Sequence, residues 1–409
     1  MYRSADEDTI RWPEQHTSVH MGREAWRAAI AGPGTRTLLV LDASFAAARF
    51  PLVESMRKAL GLPAGQIQVI QPPATVEGVE SLAAVLAATS ADRVVAIGGS
   101  GILDTTKLAC RQYADPRTLP TIRARGARHG LVELQAGAGG QPQRILIPTT
   151  IGSAAELRPY AMVRLRGHRR LVHGPHLTPE VAVLDSMFTA SLPWQILIEG
   201  ISAALLRFVD PYTDGTVRDT LGETATRATV RVLVKCGIRA LDGDCGPADQ
   251  LVAARANAAR EAGLVFRRDS LYIDKCRVVA SELATHLGVH PVAAVAALLP
   301  AWWRRIEDGD DRFGDRACLH KAWHWIRSAS RGRWSVDPVT GIAGLTRDWG
   351  LNGQLGGKDN TAAIVAARTL RFWGGKGSPF TGITADDLGE LISESLSVRS
   401  KAGRAGHAR

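Results

Sequence analysis

The chain has 409 residues, which is long enough for two domains with separate hydrophobic cores. Hydrophobic residues make up 45% and charged residues 22% of it, as in ordinary globular proteins, and no long uncharged apolar run predicts a membrane span. The formal net charge is +10, but acidic residues are mixed with the basic ones and no nucleic-acid-binding motif is present. We therefore expect no membrane and no nucleic acid as partner, and interpret the charge as solvated surface or as a preference for an anionic substrate.

The cysteines and the first residues predict the cellular compartment. The five cysteines are scattered and form no Cys-x-x-Cys pair, which is typical of reduced thiols. The chain starts with polar and acidic residues and lacks the apolar segment of a signal peptide. These features predict a cytoplasmic protein.

The first half of the chain alternates between strand-like and helix-like segments. Apolar runs predict strands at 37–41, 66–70, 94–97, 144–148, 161–165 and 181–184. Amphipathic spacing predicts helices at 24–30, 45–60 and 76–88, while the Gly-, Arg- and Pro-rich residues 113–142 are interpreted as irregular. This alternation predicts a Rossmann-like α/β domain with a parallel sheet.

A glycine-rich turn joins the strand at 94–97 to the helix that follows. The residues that predict a site here are Gly98, Gly99, Ser100, Gly101 and, in the first part of the helix, Asp104. Glycine lets backbone approach a phosphate closely, and the N–H groups and dipole of a helix N-terminus favour negative charge. The pattern therefore indicates a phosphate site, although an ordinary strand–helix turn also fits it.

Polar residues follow two other predicted strands. Asp42 ends the first strand, where it can bind the ribose hydroxyls of a dinucleotide or cap the next helix. Thr149, Thr150 and Ser153 follow the strand that begins at 144. Because ligands of open α/β sheets bind at the carboxyl ends of the strands, we expect these hydroxyls to lie beside the glycine turn.

The pattern changes near Pro193 to long helical segments. Helices are predicted at 196–209, 216–238, 247–266, 274–287, 291–306, 317–328, 360–372 and 385–397. We therefore predict an α/β domain over 1–188, an α-helical substrate or catalytic domain over 189–399, and a disordered tail over 400–409.

Three stretches together resemble the iron-containing (group III) alcohol dehydrogenases, whose superfamily shares its fold with dehydroquinate synthase. The family pattern Gly-Gly-Gly-Ser-x-x-Asp-x-x-Lys is matched from Gly98 to Lys107, with Gly and Ser exchanged at the third and fourth positions. Its Pro-Thr-Thr-x-Gly-Thr-Gly-Ser-Glu segment is matched from Pro148 to Glu156, and its hinge by Asp185, Leu192-Pro193 and Gly200. The resemblance implies NAD binding, with pyrophosphate on the glycine turn and nicotinamide near the threonines.

The metal-binding residues of that family are replaced. The family places Asp and His four residues apart after the hinge glycine, and two further His on later helices, around Fe²⁺ or Zn²⁺. Here Ser202 and Leu206 stand at the first two positions, Ser281 aligns with the third, and His290 aligns near the fourth. One ligand of four cannot hold a catalytic ion, so we predict a metal-independent member.

Hydride transfer without a metal needs a side chain that accepts the hydroxyl proton. The candidates in the former metal region are His290, His286 and Lys275. Imidazole titrates near neutral pH, which favours His290, whereas a surface or helix-capping role also fits each of them. Arg170 aligns with a family Lys that reaches the cofactor ribose, so the resemblance implies a cofactor contact for it.

The resemblance implies an NAD-dependent oxidoreductase that oxidises a hydroxyl or reduces a carbonyl. The divergent metal site suggests a small-molecule or peptide substrate of specialised metabolism, such as a Thr side chain of a ribosomal peptide that decarboxylates after oxidation. Two alternatives stay open: a catalytically inactive NAD-binding scaffold or partner subunit, and a synthase like the sugar-phosphate cyclases. Members of this family commonly form homodimers, so the resemblance implies a homodimer.

Overall fold

The computed structural model describes residues 17–31, 36–135, 137, 140–215, 220–261, 274–351, 355–357, 360–375 and 377–405. The described chain forms two compact units. The first, here called the α/β unit, contains His16–Ala204 and Cys236–Glu261, and the second, the helical unit, contains Leu205–Lys235 and Ala262–Arg409. The units are thus discontinuous in sequence, whereas our prediction placed a single boundary after residue 188.

A six-stranded parallel sheet lies at the centre of the α/β unit. Its strands are β1 (Ser18–Met21), β2 (Thr37–Asp42), β3 (Ile67–Ile70), β4 (Arg93–Gly98), β6 (Gln143–Pro148) and β9 (Val181–Leu184). They lie in the order β1-β9-β6-β4-β2-β3, and every described pairing in this sheet is parallel. The predicted parallel sheet is confirmed, although β1 precedes the first predicted strand.

Helices cover both faces of this sheet. The helices of the whole described chain are α1 (Ala25–Ile30), α2 (Ala43–Ala48), α3 (Phe50–Ala59), α4 (Val76–Thr89), α5 (Ser100–Ala114), α6 (Thr118–Gly126), α7 (Ser186–Thr189), α8 (Trp194–Thr213), α9 (Thr220–Leu241), α10 (Pro247–Glu261), α11 (Lys275–Leu287), α12 (Pro291–Glu307), α13 (Arg316–Ala329), α14 (Pro338–Asp348), α15 (Thr361–Trp373) and α16 (Ala385–Ala405). Side chains alternate along each strand, so Leu38 and Val94 pack with α4 and α5, whereas Leu39 and Val95 pack with α1, α2 and α3.

A second, three-stranded sheet contains the strand predicted at 161–165 and two strands that were not predicted. It consists of β5 (Leu131–Glu133), β7 (Tyr160–Leu165) and β8 (His168–His173). Arg166 and Gly167, with φ of 51° and 81°, form the tight turn of the β7–β8 hairpin. The interpretation of 113–142 as irregular is wrong, because α6 buries Leu119 and Ile122 on one face and β5 pairs with β8.

The structure differs from the predicted elements at three other places. The helix predicted at 45–60 is two helices, α2 and α3, because Pro51 has no backbone N–H and starts a new helix after Arg49. α14 was not predicted. α16 continues to Ala405, past residue 400 where the disordered tail was predicted to start, since alanines and basic helix formers follow with no proline.

The helical unit is held together around a row of tryptophans. Trp303 lies 5.9 Å from Trp323, Trp323 lies 6.4 Å from Trp334, and Trp334 lies 6.3 Å from Trp349, measured between ring centroids. All four side chains are buried, so they form core rather than a pocket lining. Within the described ranges, no helix combines the length and apolarity that crossing a bilayer requires.

Candidate active site

The glycine turn lies between β4 and α5. Gly99 caps α5 in an extended conformation, with φ −70° and ψ 178°, and its carbonyl oxygen accepts from Ile102 and Leu103 N–H at 3.0 and 3.2 Å. The first turn of α5 contains no acidic side chain, so the positive end of the helix dipole is not neutralised there. This geometry suits an anion above the turn.

The three glycines of this turn differ in whether the surrounding packing requires glycine at their position. A Cβ on Gly98 would lie 2.6 Å from the Ile102 side chain, and a Cβ on Gly101 would lie 2.9 Å from Pro72. A Cβ on Gly99 would meet nothing closer than Thr150, at 3.7 Å. Packing therefore requires glycine at 98 and 101, whereas at 99 the protein itself leaves space for a larger residue.

A second turn, residues 149–158, follows β6 directly beside the glycine turn. Gly98 pairs with Pro148 across the sheet, and Thr149 N–H donates to the Gly98 carbonyl oxygen at 3.1 Å. Thr150 borders Gly99, and the Ser153 hydroxyl lies further along the same turn. The structure thus brings the predicted threonines and the glycine turn to one edge of the sheet.

A buried charge network joins these two turns. Asp104 is 1% exposed and forms ion pairs with Lys107 at 3.0 Å and Arg158 at 2.9 Å. Lys107 also donates to the carbonyl oxygens of Ala155 and Tyr160, at 3.0 and 2.6 Å. Burial lowers the pKa of Lys107 to about 8, against the opposing effect of Asp104, so this lysine is still charged at neutral pH.

The network changes the role predicted for Asp104. Because α5 begins at Ser100, Asp104 is the fifth residue of this helix and points into the core, where it also accepts from Met162 N–H at 3.0 Å. Asp104 therefore fixes the turn at residues 149–158. This buried position does not support the cofactor contact that we predicted for it. Lys107 lies three residues further along the same helix and is part of the family pattern. Its i,i+3 spacing from Asp104 could have predicted this ion pair from the sequence.

Asp42 lies at the same sheet edge and caps α2. Its Oδ1 accepts from Ser44 N–H at 2.8 Å and from Phe45 N–H at 3.4 Å. Leu41 pairs with Ile97, so Asp42 lies level with the glycine turn on the neighbouring strand. The capping role is present in the structure, and the ribose contact stays a prediction that this position allows.

Arg170 lies elsewhere, in the three-stranded sheet. It is 2% exposed, and its Nε donates to the carbonyl oxygen of Gly126, the last residue of α6, at 2.6 Å. A cation at a helix C-terminus interacts favourably with the helix dipole. The structure therefore gives Arg170 a packing role in place of the predicted cofactor contact, because its guanidinium is turned into the core beneath α6.

The three predicted catalytic residues are not assembled in the helical unit. Lys275 and His286 are eleven positions apart on α11, which corresponds to about 16 Å along the helix axis. The Lys275 ammonium pairs with Asp214 at 2.6 Å and donates to the Arg312 carbonyl at 2.8 Å. His286 is half-buried in the last turn of α11, and His290 is exposed at the N-cap of α12. Lys275 therefore lies apart from His286, and a catalytic role for any one of the three residues stays a prediction.

The residues at the family's metal positions do not fit a divalent ion. The Ser202 hydroxyl donates to the Ile198 carbonyl oxygen of its own helix at 2.7 Å, and Leu206 offers no donor atom. Across the described ranges, no group of three or more His, Cys, Asp or Glu side chains is arranged to hold a metal.

A parallel sheet whose strand ends in a glycine turn before a helix N-terminus is the arrangement in which open α/β sheets bind dinucleotides. Residues 17–186 match the sequence family described as iron-containing alcohol dehydrogenase. This match covers the α/β half of the chain and confirms the resemblance of its motifs.

Three known proteins show how far the similarity extends. Phosphonoacetaldehyde reductase of Streptomyces viridochromogenes is 36% identical over 138 residues, 32% of this chain and 34% of that protein. Aldehyde-alcohol dehydrogenase 2 of Entamoeba histolytica is 26% identical over 247 residues, 56% of this chain and 26% of that protein. The chain thus spans about a third or less of the length of these two relatives.

The fold similarity covers both units. NADH-dependent butanol dehydrogenase A of Thermotoga maritima superposes with a TM-score of 0.74 at 14% identity, over 95% of this chain and 98% of that chain. At this identity the comparison shows the fold alone. The described chain as a whole thus has the fold of the iron-containing alcohol dehydrogenases.

Proposed function

We propose that the protein is an NAD-dependent oxidoreductase that interconverts a hydroxyl and a carbonyl group. The observation that carries this proposal is the contact between the two turns at the sheet edge, where Thr149 N–H bonds to Gly98 and Thr150 borders Gly99. A pyrophosphate on the α5 N-terminus would leave the nicotinamide end of the cofactor close to the second turn. The family match over the same residues supports this assignment.

The preference for NAD over NADP follows from Asp42 in this proposal. The Asp42 carboxylate lies at the end of the strand next to the glycine turn. A carboxylate there accepts hydrogen bonds from the two ribose hydroxyls, whereas it would repel the 2′-phosphate of NADP. The cap to α2 uses Oδ1 and holds the side chain in position for this contact.

We also propose that catalysis is metal-independent. The chemistry of Ser202 and Leu206 supports this, because a serine bonded to its own helix and a leucine cannot replace a carboxylate and an imidazole as ligands. A side chain must then take the hydroxyl proton when hydride leaves the carbinol carbon. His290 and His286 are the proposed acceptors, while the ion pair to Asp214 occupies Lys275.

For the substrate, we propose an organic molecule of specialised metabolism, such as a ribosomal peptide whose Thr side chain is oxidised and whose carboxylate is then lost as CO₂. The net charge of +10 supports an anionic substrate of this kind. We further propose that the enzyme acts in the cytoplasm as a homodimer.

The test is cofactor binding followed by turnover. Calorimetry with NAD⁺, NADH and NADPH on the purified chain should show binding of NAD(H) that is at least tenfold tighter than that of NADPH, on the order expected from one repelled phosphate. NADH absorbance is then followed with alcohols and Thr-terminated peptides, on protein whose metal content has been measured by elemental analysis. Turnover at near-zero metal supports the proposal, whereas activity that tracks stoichiometric iron or zinc contradicts metal independence.

A second candidate function is an NAD-binding scaffold without catalysis. It is favoured by the separation of Lys275 from His286 and by the lost donors at 202 and 206. Tight NAD binding together with no turnover on any substrate, with and without added Fe²⁺ or Zn²⁺, would support this function. Loss of both binding and turnover would contradict both candidates.

A further inference from the structure

A pocket opens on the far side of the second turn, within the α/β unit. It lies between that turn, the end of β9, α7 and α10, and its lining includes Thr150, Glu156, Asp185, Gln250 and Asn257. Thr150 also borders Gly99, so the pocket is separated from the glycine turn by one side chain. Its position at the carboxyl ends of β6 and β9 is where open α/β sheets bind ligands.

Two side chains in this pocket carry acceptor atoms that the rest of the described chain does not satisfy. Glu156 is 4% exposed and Asn257 is 2% exposed. Among the described residues, neither Glu156 Oε2 nor Asn257 Oδ1 has a hydrogen-bond partner. An unsatisfied buried acceptor costs about 1–3 kcal/mol, so two on one small pocket indicate a donor that binds there.

The charge of the pocket indicates the kind of donor. Glu156 and Asp185 are carboxylates, and none of the described residues that line the pocket is Lys, Arg or His. The cations that act on the Glu156 carboxylate are Lys107 and Arg158, which are already paired with Asp104. Burial raises the pKa of Glu156 to about 7, so a cation bound beside it would stabilise the ionised form at neutral pH.

We propose that this pocket binds the primary ammonium group of a small ligand, with Glu156 and Asn257 as its acceptors. An ammonium group carries three N–H donors and no acceptor, which matches a lining with carboxylate and amide oxygens and no cation. A phosphate or carboxylate would instead face two like charges. The proposal concerns binding alone and does not depend on the oxidoreductase activity.

The experiment compares three probes of similar size on the full chain: propylammonium, propionamide and 1-propanol. Binding is measured by the rise in the unfolding midpoint and by calorimetry, with sodium chloride at equal ionic strength as the reference. Propylammonium should stabilise the protein saturably, while the neutral probes should have little effect. Glu156→Gln should weaken propylammonium binding by roughly tenfold or more, as loss of a charged hydrogen bond implies.

Two further variants keep the proposal testable. Glu133→Gln changes an exposed glutamate on β5 and should leave propylammonium binding unchanged. Asn257→Asp adds a second carboxylate to the acceptor pair and should tighten binding, so the test does not rely on Glu156→Gln folding normally. Equal stabilisation by all three probes, stabilisation by propionamide alone, or unchanged propylammonium affinity in Glu156→Gln and Asn257→Asp would overturn the proposal and leave the pocket as a water site.

Discussion

Gly152 and Gly200 bring the second turn and α8 into backbone contact within the α/β unit. A Cβ on Gly152 would lie 2.3 Å from the Gly200 carbonyl oxygen, and a Cβ on Gly200 would lie 2.6 Å from the Ile151 carbonyl oxygen. Gly152 also has φ of +101°, which side chains other than glycine rarely adopt. The turn that follows β6 is therefore held on one side by α8 and on the other by the network of Asp104, Lys107 and Arg158.

The first prediction tests this contact with Gly200→Ala. Alanine normally favours a helix by about 0.5–1 kcal/mol, but here its methyl group would press on the Ile151 backbone and should lower the free energy of unfolding by about 1–3 kcal/mol. The matched control is Gly389→Ala in α16, where a Cβ meets nothing within 4 Å and should be neutral or stabilising. Urea unfolding curves measure both, and a Gly200→Ala protein as stable as the parent would show that the turn and α8 separate easily.

The second prediction concerns the buried network. Asp104→Asn leaves Lys107 and Arg158 buried without their common carboxylate, so we expect the free energy of unfolding to fall by about 3–5 kcal/mol. Glu80→Gln, which breaks the exposed pair with Arg123, should cost about 1 kcal/mol or less. Similar losses in the two variants, measured by urea unfolding, would contradict a structural role for Asp104.

The sheet and its two turns were predictable from the sequence, and several other features were not. The run at 94–97 is apolar because β4 is buried on both faces. This strand could therefore be predicted from its own residues, without knowing which strands lie beside it. β8 carries two adjacent arginines, and the second, Arg170, is buried and bonds to α6, a partner that is distant in sequence. The sequence around Asn257 did not predict a site either, because Asn257 and Glu156 line the same pocket only in the folded chain.

The third prediction follows from the pKa of Glu156. Burial raises it from the ordinary 4.5 to about 7, so the folded protein holds this proton more tightly than the unfolded chain does. The resulting stabilisation is fully present below pH 4.5 and is lost as the pH rises through about 7, by about 3 kcal/mol in total. Glu156→Gln cannot titrate and lacks this loss.

The measurement is the free energy of unfolding of the parent and of Glu156→Gln at several pH values. Between about pH 4.5 and 7.5, Glu156→Gln should gain stability relative to the parent. A difference between the two proteins that stays constant over this range would mean that Glu156 is ionised throughout, as its neighbours Lys107 and Arg158 favour.

The last prediction separates the fold from the cofactor site by means of two glycines of the turn, Gly99 and Gly101. Gly99→Ala should fold normally, because its methyl group would contact only Thr150 at 3.7 Å and φ is −70°. If pyrophosphate lies on the α5 N-terminus, the same methyl group would occupy its place, and NAD affinity measured by calorimetry should fall by roughly tenfold or more, or about 1.4 kcal/mol. Gly101→Ala should instead lower the unfolding midpoint, because its methyl group would clash with Pro72. Undiminished NAD affinity in a folded Gly99→Ala protein would mean that the glycine turn is a packing feature and that any dinucleotide binds elsewhere.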